Sequence, residues 1–282
     1  MSTFETPEPI SATVDLALGA VRIVAGERDA TVVELRPSDE SNAEDVRAAD
    51  GTRVEYANEQ LVVKAPKLRS WVSRKGGSID VTIELPAGSN LDCTARLADV
   101  HCEGRLGDCR VRTGLGRIRL DDAAALDLKS GMGDISVERA TGHAEVTTGS
   151  GQLRLRELDG SAVIKNSNGD TWVGLAGGSA RLSAANGRIA VDRARADVVA
   201  KSANGDVRMG EVVRGSVVLE TTAGDLEVGI RAGSAAWLDV HTAVGQVHNA
   251  LEAAEAPGPS AETVEVRART TVGDIAILRS SS

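Results

Sequence analysis

The sequence predicts an all-β chain: a single-chain β-solenoid, right-handed and of about ten coils, with an N-terminal β cap. Three observations carry that reading. A short unit recurs, most plainly in Lys201-Ser-Ala-Asn-Gly-Asp-Val-Arg-Met209 and in Lys165-Asn-Ser-Asn-Gly-Asp-Thr-Trp-Val173. Anchored on its central glycine, it returns at Gly116, Gly133, Gly151, Gly169, Gly187, Gly205, Gly224, Gly245 and Gly273, with Ala98 in the same slot one period earlier, in steps of 18, 17, 18, 18, 18, 18, 19, 21 and 28 residues. A β-type pattern repeating at this interval marks repetitive architecture. Apolar pairs flank each glycine, and the composition, with 2% aromatics and 30 glycines, suits narrow coils closed by tight turns.

Taken in order, Ile10 to Leu35 alternates as strands, with Val14, Leu16 and Leu18 before a turn at Gly19 and Val21, Ile23 and Val32 to Leu35 after it. Ser38 to Asp50 is polar and acidic, either a loop or one or two helical turns. Arg53-Val-Glu-Tyr56 and Leu61-Val-Val-Lys64 form a hairpin across Ala57 to Gln60. Pro66 to Gly77 is a loop, and Ser78 to Pro86 is an alternating strand closed by its proline. We therefore divide the chain into a β-rich cap over 1–88 and the solenoid over 89–282, with an insertion near 249–262 that reads as a short helical turn followed by a loop.

Inside each repeat, the residues seven and five before the glycine pair with those two and four after it. Examples are Val217 and Leu219, or Ile135 and Val137, and among these positions only Thr171 and Asn249 are not apolar. The residues between them are mostly polar, so each unit contains two short strands with one face inward. One such pair cannot bury that face alone. Stacking successive units turns the inward positions into continuous ladders, and right-handed winding follows from the hand of parallel crossovers.

The corners have their own chemistry. Asn168, Asn186 and Asn204 precede the glycine in three consecutive coils, where Asn-Gly tolerates positive φ and stacked amides can bond to one another. Asp134, Asp170, Asp206, Asp225 and Asp274 follow it, placed to accept turn N–H groups. A calcium-binding role would need denser Gly/Asp loops at half this period, and Arg117, Gln152, Arg188 and Gln246 interrupt the row. Cys93, Cys102 and Cys109 fall on inward positions and read as small core side chains, without the paired ligand spacing of a metal site. We expect no metal and no cofactor.

The repeats, the preceding Val81-Thr-Ile-Glu-Leu-Pro-Ala-Gly88, the opening Phe4-Glu-Thr-Pro-Glu-Pro-Ile10 and the closing Val244-Gly-Gln-Val-His-Asn-Ala-Leu251 with Thr270 to Ile277 together resemble the bacterial β-strand-repeat family labelled as candidate adhesins, also called the toastrack domain. The likeness is greatest to its actinobacterial members and spans almost the whole chain. It implies this fold, and it brings no established activity, catalytic residue or cofactor.

Composition narrows the function further. A formal charge of -9 and a pI near 5.1 argue against general nucleic-acid binding, which needs clustered excess cations. Met1 to Pro9 has no basic start, apolar run or cleavage site, and no stretch reaches the roughly 18 to 20 apolar residues of a membrane helix, so the expected location is cytoplasmic. The row four residues before the glycine is intermittently basic and offers no carboxylate pair in register. His101, His143, His241 and His248 are scattered, although the last two flank one corner.

The most distinctive stretch outside the repeats is Lys64-Ala-Pro-Lys-Leu-Arg-Ser-Trp-Val-Ser-Arg-Lys-Gly-Gly77. Lys67, Arg69, Trp71, Arg74 and Lys75 combine cationic and aromatic side chains in an acidic protein. That suits an acidic protein partner, a neighbouring protomer or weak contact with an anionic membrane, or else a solvated loop whose Trp71 folds back on the cap. The expectation is a non-catalytic cytoplasmic scaffold or protein-interaction module. A polysaccharide-acting β-helix and an acidic rod mimicking nucleic acid are the alternatives.

Overall fold

The computed structural model describes residues 1–66, 77–251 and 262–280. The chain divides into two compact units, Met1–Thr141 and Gly142–Ser282, each a β-solenoid built from parallel ladders.

In the first unit the long strand Asn90–Leu115 runs parallel to Ile118–Met132, which in turn pairs with Ile135–Ala140. The strand Ser11–Gly26 lies parallel on the other side of Asn90–Leu115, with Ser11 opposite Asn90 and Gly19 opposite Ala98. Gly19 takes the same positive φ as the repeat glycines, 136°. Residues that read as cap strands thus form a coil of the same kind. A further coil flanks this one, made of Gln60–Lys64 beside its first half and Ile79–Pro86 beside its second.

Antiparallel strands then close that end. Arg53–Ala57 pairs with Gln60–Lys64, Ala30–Pro37 with Ile79–Pro86, and Ser2–Glu5 with Ala30–Pro37. The expected hairpin turns through Asn58 and Glu59, both at positive φ. Between Pro37 and Arg53 the chain forms the helix Ala43–Asp50, whose Asn42 side chain caps the Glu44 N–H at 3.0 Å.

In the second unit one ladder contains Ala144–Ser150, Ala162–Asn168, Ala180–Asn186, Val198–Asn204, Gly215–Ala223, Thr263–Val272 and Ala235–Val244, in that spatial order. The other contains Leu153–Leu158, Thr171–Ala176, Ile189–Ala194, Val207–Val212, Leu226–Ile230, Ile275–Arg279 and Val247–Asn249. Strict coil-after-coil stacking therefore fails at the end of the chain. The Gly273 coil lies between those of Gly224 and Gly245. The inward residues account for it: Val264, Val266, Ala268, Ile275 and Ile277 are fully apolar and buried on both sides, whereas the Gly245 coil carries Asn249 inward and tolerates the outer place. The insertion expected near 249–262 falls almost entirely outside the described residues.

Every corner glycine of the repeat has φ between 126° and 146°. At Gly205 an added Cβ would collide with the carbonyl oxygen of Gly187 one coil away. Both the backbone conformation and the close approach exclude a side chain there. Replacing Gly205 with Val is expected to destabilise the protein by about 2 to 4 kcal/mol in denaturant unfolding. Gly233→Ala, at φ 86° with open space around it, should cost only about 1 kcal/mol. Equal costs for the two would show that the close approach at the corner carries none of the effect.

Candidate interaction surface

The coil corners form rows in which each residue type repeats vertically. Asn186 donates its side-chain N–H to the Asn168 amide oxygen at 2.9 Å, and Asn204 to that of Asn186 at 3.0 Å. Asn168 completes the row by donating to the Gly149 carbonyl. The carboxylate row works one coil further along. Asp99, Asp170, Asp206, Asp225 and Asp274 accept the backbone N–H groups of Arg117, Arg188, Asp225, Asp274 and Gln246 at 2.8 to 3.0 Å. These carboxylates hold neighbouring coils in register, and arginine, aspartate or glutamine can stand at the donor position because the backbone N–H is the shared donor, to which Arg117 adds its guanidinium on Asp99.

A third row was not singled out from sequence. Three residues before the glycine, Thr113, Thr148, Asn166, Ser202, Thr221 and Thr270 turn inward and are buried. Thr221, Ser202, Thr270 and Asn166 donate to the carbonyls of Gly205, Gly187, Gly224 and Gly169, and Thr242 to that of Gly273. The corner carbonyls of Gly169, Gly187, Gly205, Gly224 and Gly273 thereby each receive a donor. The polar exception Thr171 belongs here too, its hydroxyl lying 3.5 Å from the Asn166 amide. The signal was present as a polar continuation of the two inward apolar positions.

The outer faces bear cross-coil ion pairs: Arg22 with Glu103, Arg117 with Asp99, Lys201 with Glu220, Arg208 with Glu227, and Arg193 with Glu211. Asp127 gathers Arg110, Arg112 and Lys129. Register aligns the intermittently basic row as Lys165, Ser183, Lys201, Glu220, Arg269 and His241 in successive coils. His143 meets the Ser161 hydroxyl at 2.8 Å, and His101 stands 3.7 Å from Glu103. Trp172 donates its indole N–H to Asp192 beside a cleft of about 300 Å3.

The three cysteines are buried thiols. Burial pushes the Cys93 thiol up to about 12, and hydrogen bonding with Cys109 together with burial raises Cys102, so neither supplies a thiolate at neutral pH. Among the described residues no three His, Cys, Asp or Glu side chains are grouped to hold a metal ion, and no helix is long and apolar enough to cross a membrane.

The expected partner-contact residues Lys67, Arg69, Trp71, Arg74 and Lys75 lie outside the described residues. The structure does place both ends of their segment. Ala65 donates to Asp15, and Ser78 donates its N–H to the buried Asp45 carboxylate at 2.9 Å on the helix Ala43–Asp50. The described residues on either side of that segment thus sit at the corner between Gln60–Lys64 and Ile79–Pro86.

A sequence profile described as Toastrack DUF4097 matches residues 14–278. None of the curated proteins compared matches the chain. Among solved structures, a candidate cell adhesion protein from Clostridium sporogenes ATCC 15579 aligns at 12% identity over 99% of this chain and 98% of its own, with a TM-score of 0.23. A candidate adhesin from Bacteroides fragilis NCTC 9343 aligns at 11% identity over 98% and 95%, with a TM-score of 0.33.

Two measurements check the corner rows. Asn186→Ala interrupts the amide ladder on both sides and should cost about 1 kcal/mol in denaturant unfolding. The second concerns acid. The Arg117 backbone N–H, joined by the Arg117 guanidinium, holds the Asp99 carboxyl below its ordinary 3.8. A lowered folded-state value contributes stability that is present above the unfolded value and is lost as pH falls through the folded one. The thermal midpoint should therefore fall below about pH 4, and Asp99→Asn, which keeps an acceptor oxygen but does not titrate, should show a smaller fall.

Proposed function

The chain belongs to the Toastrack DUF4097 family, and from that premise we propose that it is a non-catalytic, cytoplasmic scaffold or protein-interaction module of actinobacterial type. The observation that carries the reading is the arrangement of its outer surface. Side chains of successive coils stand in vertical register on a hydrogen-bonded backbone, and the charged ones pair across coils, as Lys201 does with Glu220 and Arg208 with Glu227. Such a face presents a fixed, repeating pattern to another macromolecule. In support of the non-catalytic reading, burial keeps the Cys93 and Cys102 thiols protonated, and His143 and His101 lie on exposed faces beside Ser161 and Glu103.

Recognition is assigned to the segment between Pro66 and Gly77. Its Lys67, Arg69, Arg74 and Lys75 offer cations around Trp71 in a chain of net charge -9, a combination that favours an acidic protein surface. Location in a reducing compartment agrees with a chain whose three cysteines are all buried thiols.

Reversing the charges of Arg69, Arg74 and Lys75 should reduce recovery of a binding partner from cell extract at least tenfold while the thermal midpoint stays within about 2 °C. Unchanged recovery removes the segment from the interface. Turnover of a polysaccharide, with or without calcium, would overturn the non-catalytic reading.

A further inference from the structure

Each unit has an outermost coil, and the two are finished differently. In the first unit, antiparallel strands cover the outermost parallel ones. In the second, Ala235–Val244 pairs with Thr263–Val272 along one edge, and no strand among the described residues pairs with the other. Ala235 donates its N–H to Glu262. By the alternation of a parallel ladder, Ala236, Leu238, Val240 and Thr242 therefore turn their backbone N–H and C=O groups toward the open side.

The same coil leaves apolar surface uncovered. Leu238 and Val240 stand opposite the fully buried Val266 and Ala268 but are themselves only half-buried, while Val247 is 44% and Trp237 56% exposed. An unpaired strand with an apolar inward face is a template for another strand.

We propose that this edge pairs with the same edge of a second copy of the chain, antiparallel about a two-fold axis through Val240. The strand is complementary to itself in that register. Val240 faces Val240 of the second copy and exchanges both backbone hydrogen bonds with it, and Leu238 faces Thr242. On the outer side Asp239 faces His241, a carboxylate acceptor against a ring that donates N–H. Neighbouring registers lose this match. Centring on Leu238 sets Asp239 against Trp237 and His241 against Ala235, and centring on Thr242 sets Asp239 against Gly245. A two-fold contact uses one surface on both copies, so association closes at a dimer rather than growing into a filament. The inference stands apart from the scaffold reading, since association state tests it whether or not another partner exists.

Light scattering and sedimentation of the full chain across a concentration series are expected to show a monomer–dimer equilibrium that saturates at the dimer. Val240→Cys should form a self-crosslinked dimer on mild oxidation, whereas Ser183→Cys, on an outward position away from the edge, should not. His241→Asp, which sets like charges face to face, should weaken the dimer at least tenfold, and adding Asp239→His to it should restore association. Circular dichroism and thermal midpoints confirm that each variant is folded. A monomer at every concentration, open-ended growth, or a dimer indifferent to both the crosslinking position and the charge swap overturns the proposal.

Discussion

The structure depends on what happens at one backbone position per coil. There the chain must turn its inward face through a corner while remaining one hydrogen-bond spacing from the coil beside it. Gly205 meets both demands by taking positive φ with its carbon against the Gly187 carbonyl, and its N–H bonds to Ala223 on the other side. No side chain fits in that approach. Because a glycine stands at the same place in each repeat from Gly116 onward, the strands between corners start in register, and their inward residues fall on top of one another without further instruction.

The polar rows around the corner are consequences of that stacking. A buried carbonyl at a turn demands a donor, and a small hydroxyl of the adjoining coil gives one, as Thr221 does to Gly205 and Thr270 to Gly224. On the solvent side the amide and carboxylate rows use the same spacing to bond from coil to coil. Cross-coil ion pairs on the outer faces are half-exposed and add little stability individually. Their effect is to fix which charges appear where, which matters more for recognition than for folding.

Much of this was legible in the sequence because a coil is a local object. Its two strands, its corner and its inward pairs all lie within about eighteen residues, so the repeat reveals them directly. Neighbourhood is not local. Any coil with small apolar inward residues can lie on any other, and the register of Ser11–Gly26 on Asn90–Leu115 left no trace in spacing because several strands intervene. Gly19 was accordingly read as an ordinary turn. The placement of the Gly273 coil inside the Gly245 coil was hidden for the same reason, although inward Asn249 marked the latter as unsuited to full burial. The basic segment around Trp71 was visible as composition, and composition alone does not fix a contact.

The inverted order of the last two coils bears on how the chain is made. Residues of the Gly245 coil leave the ribosome before those of the Gly273 coil on which they finally rest. Until residue 277 has emerged, the Gly245 coil lacks the strands with which it pairs. Vectorial growth, sufficient for the coils before it, therefore does not describe this unit, whose Gly245 coil reaches its native pairing only after a later coil has been synthesised.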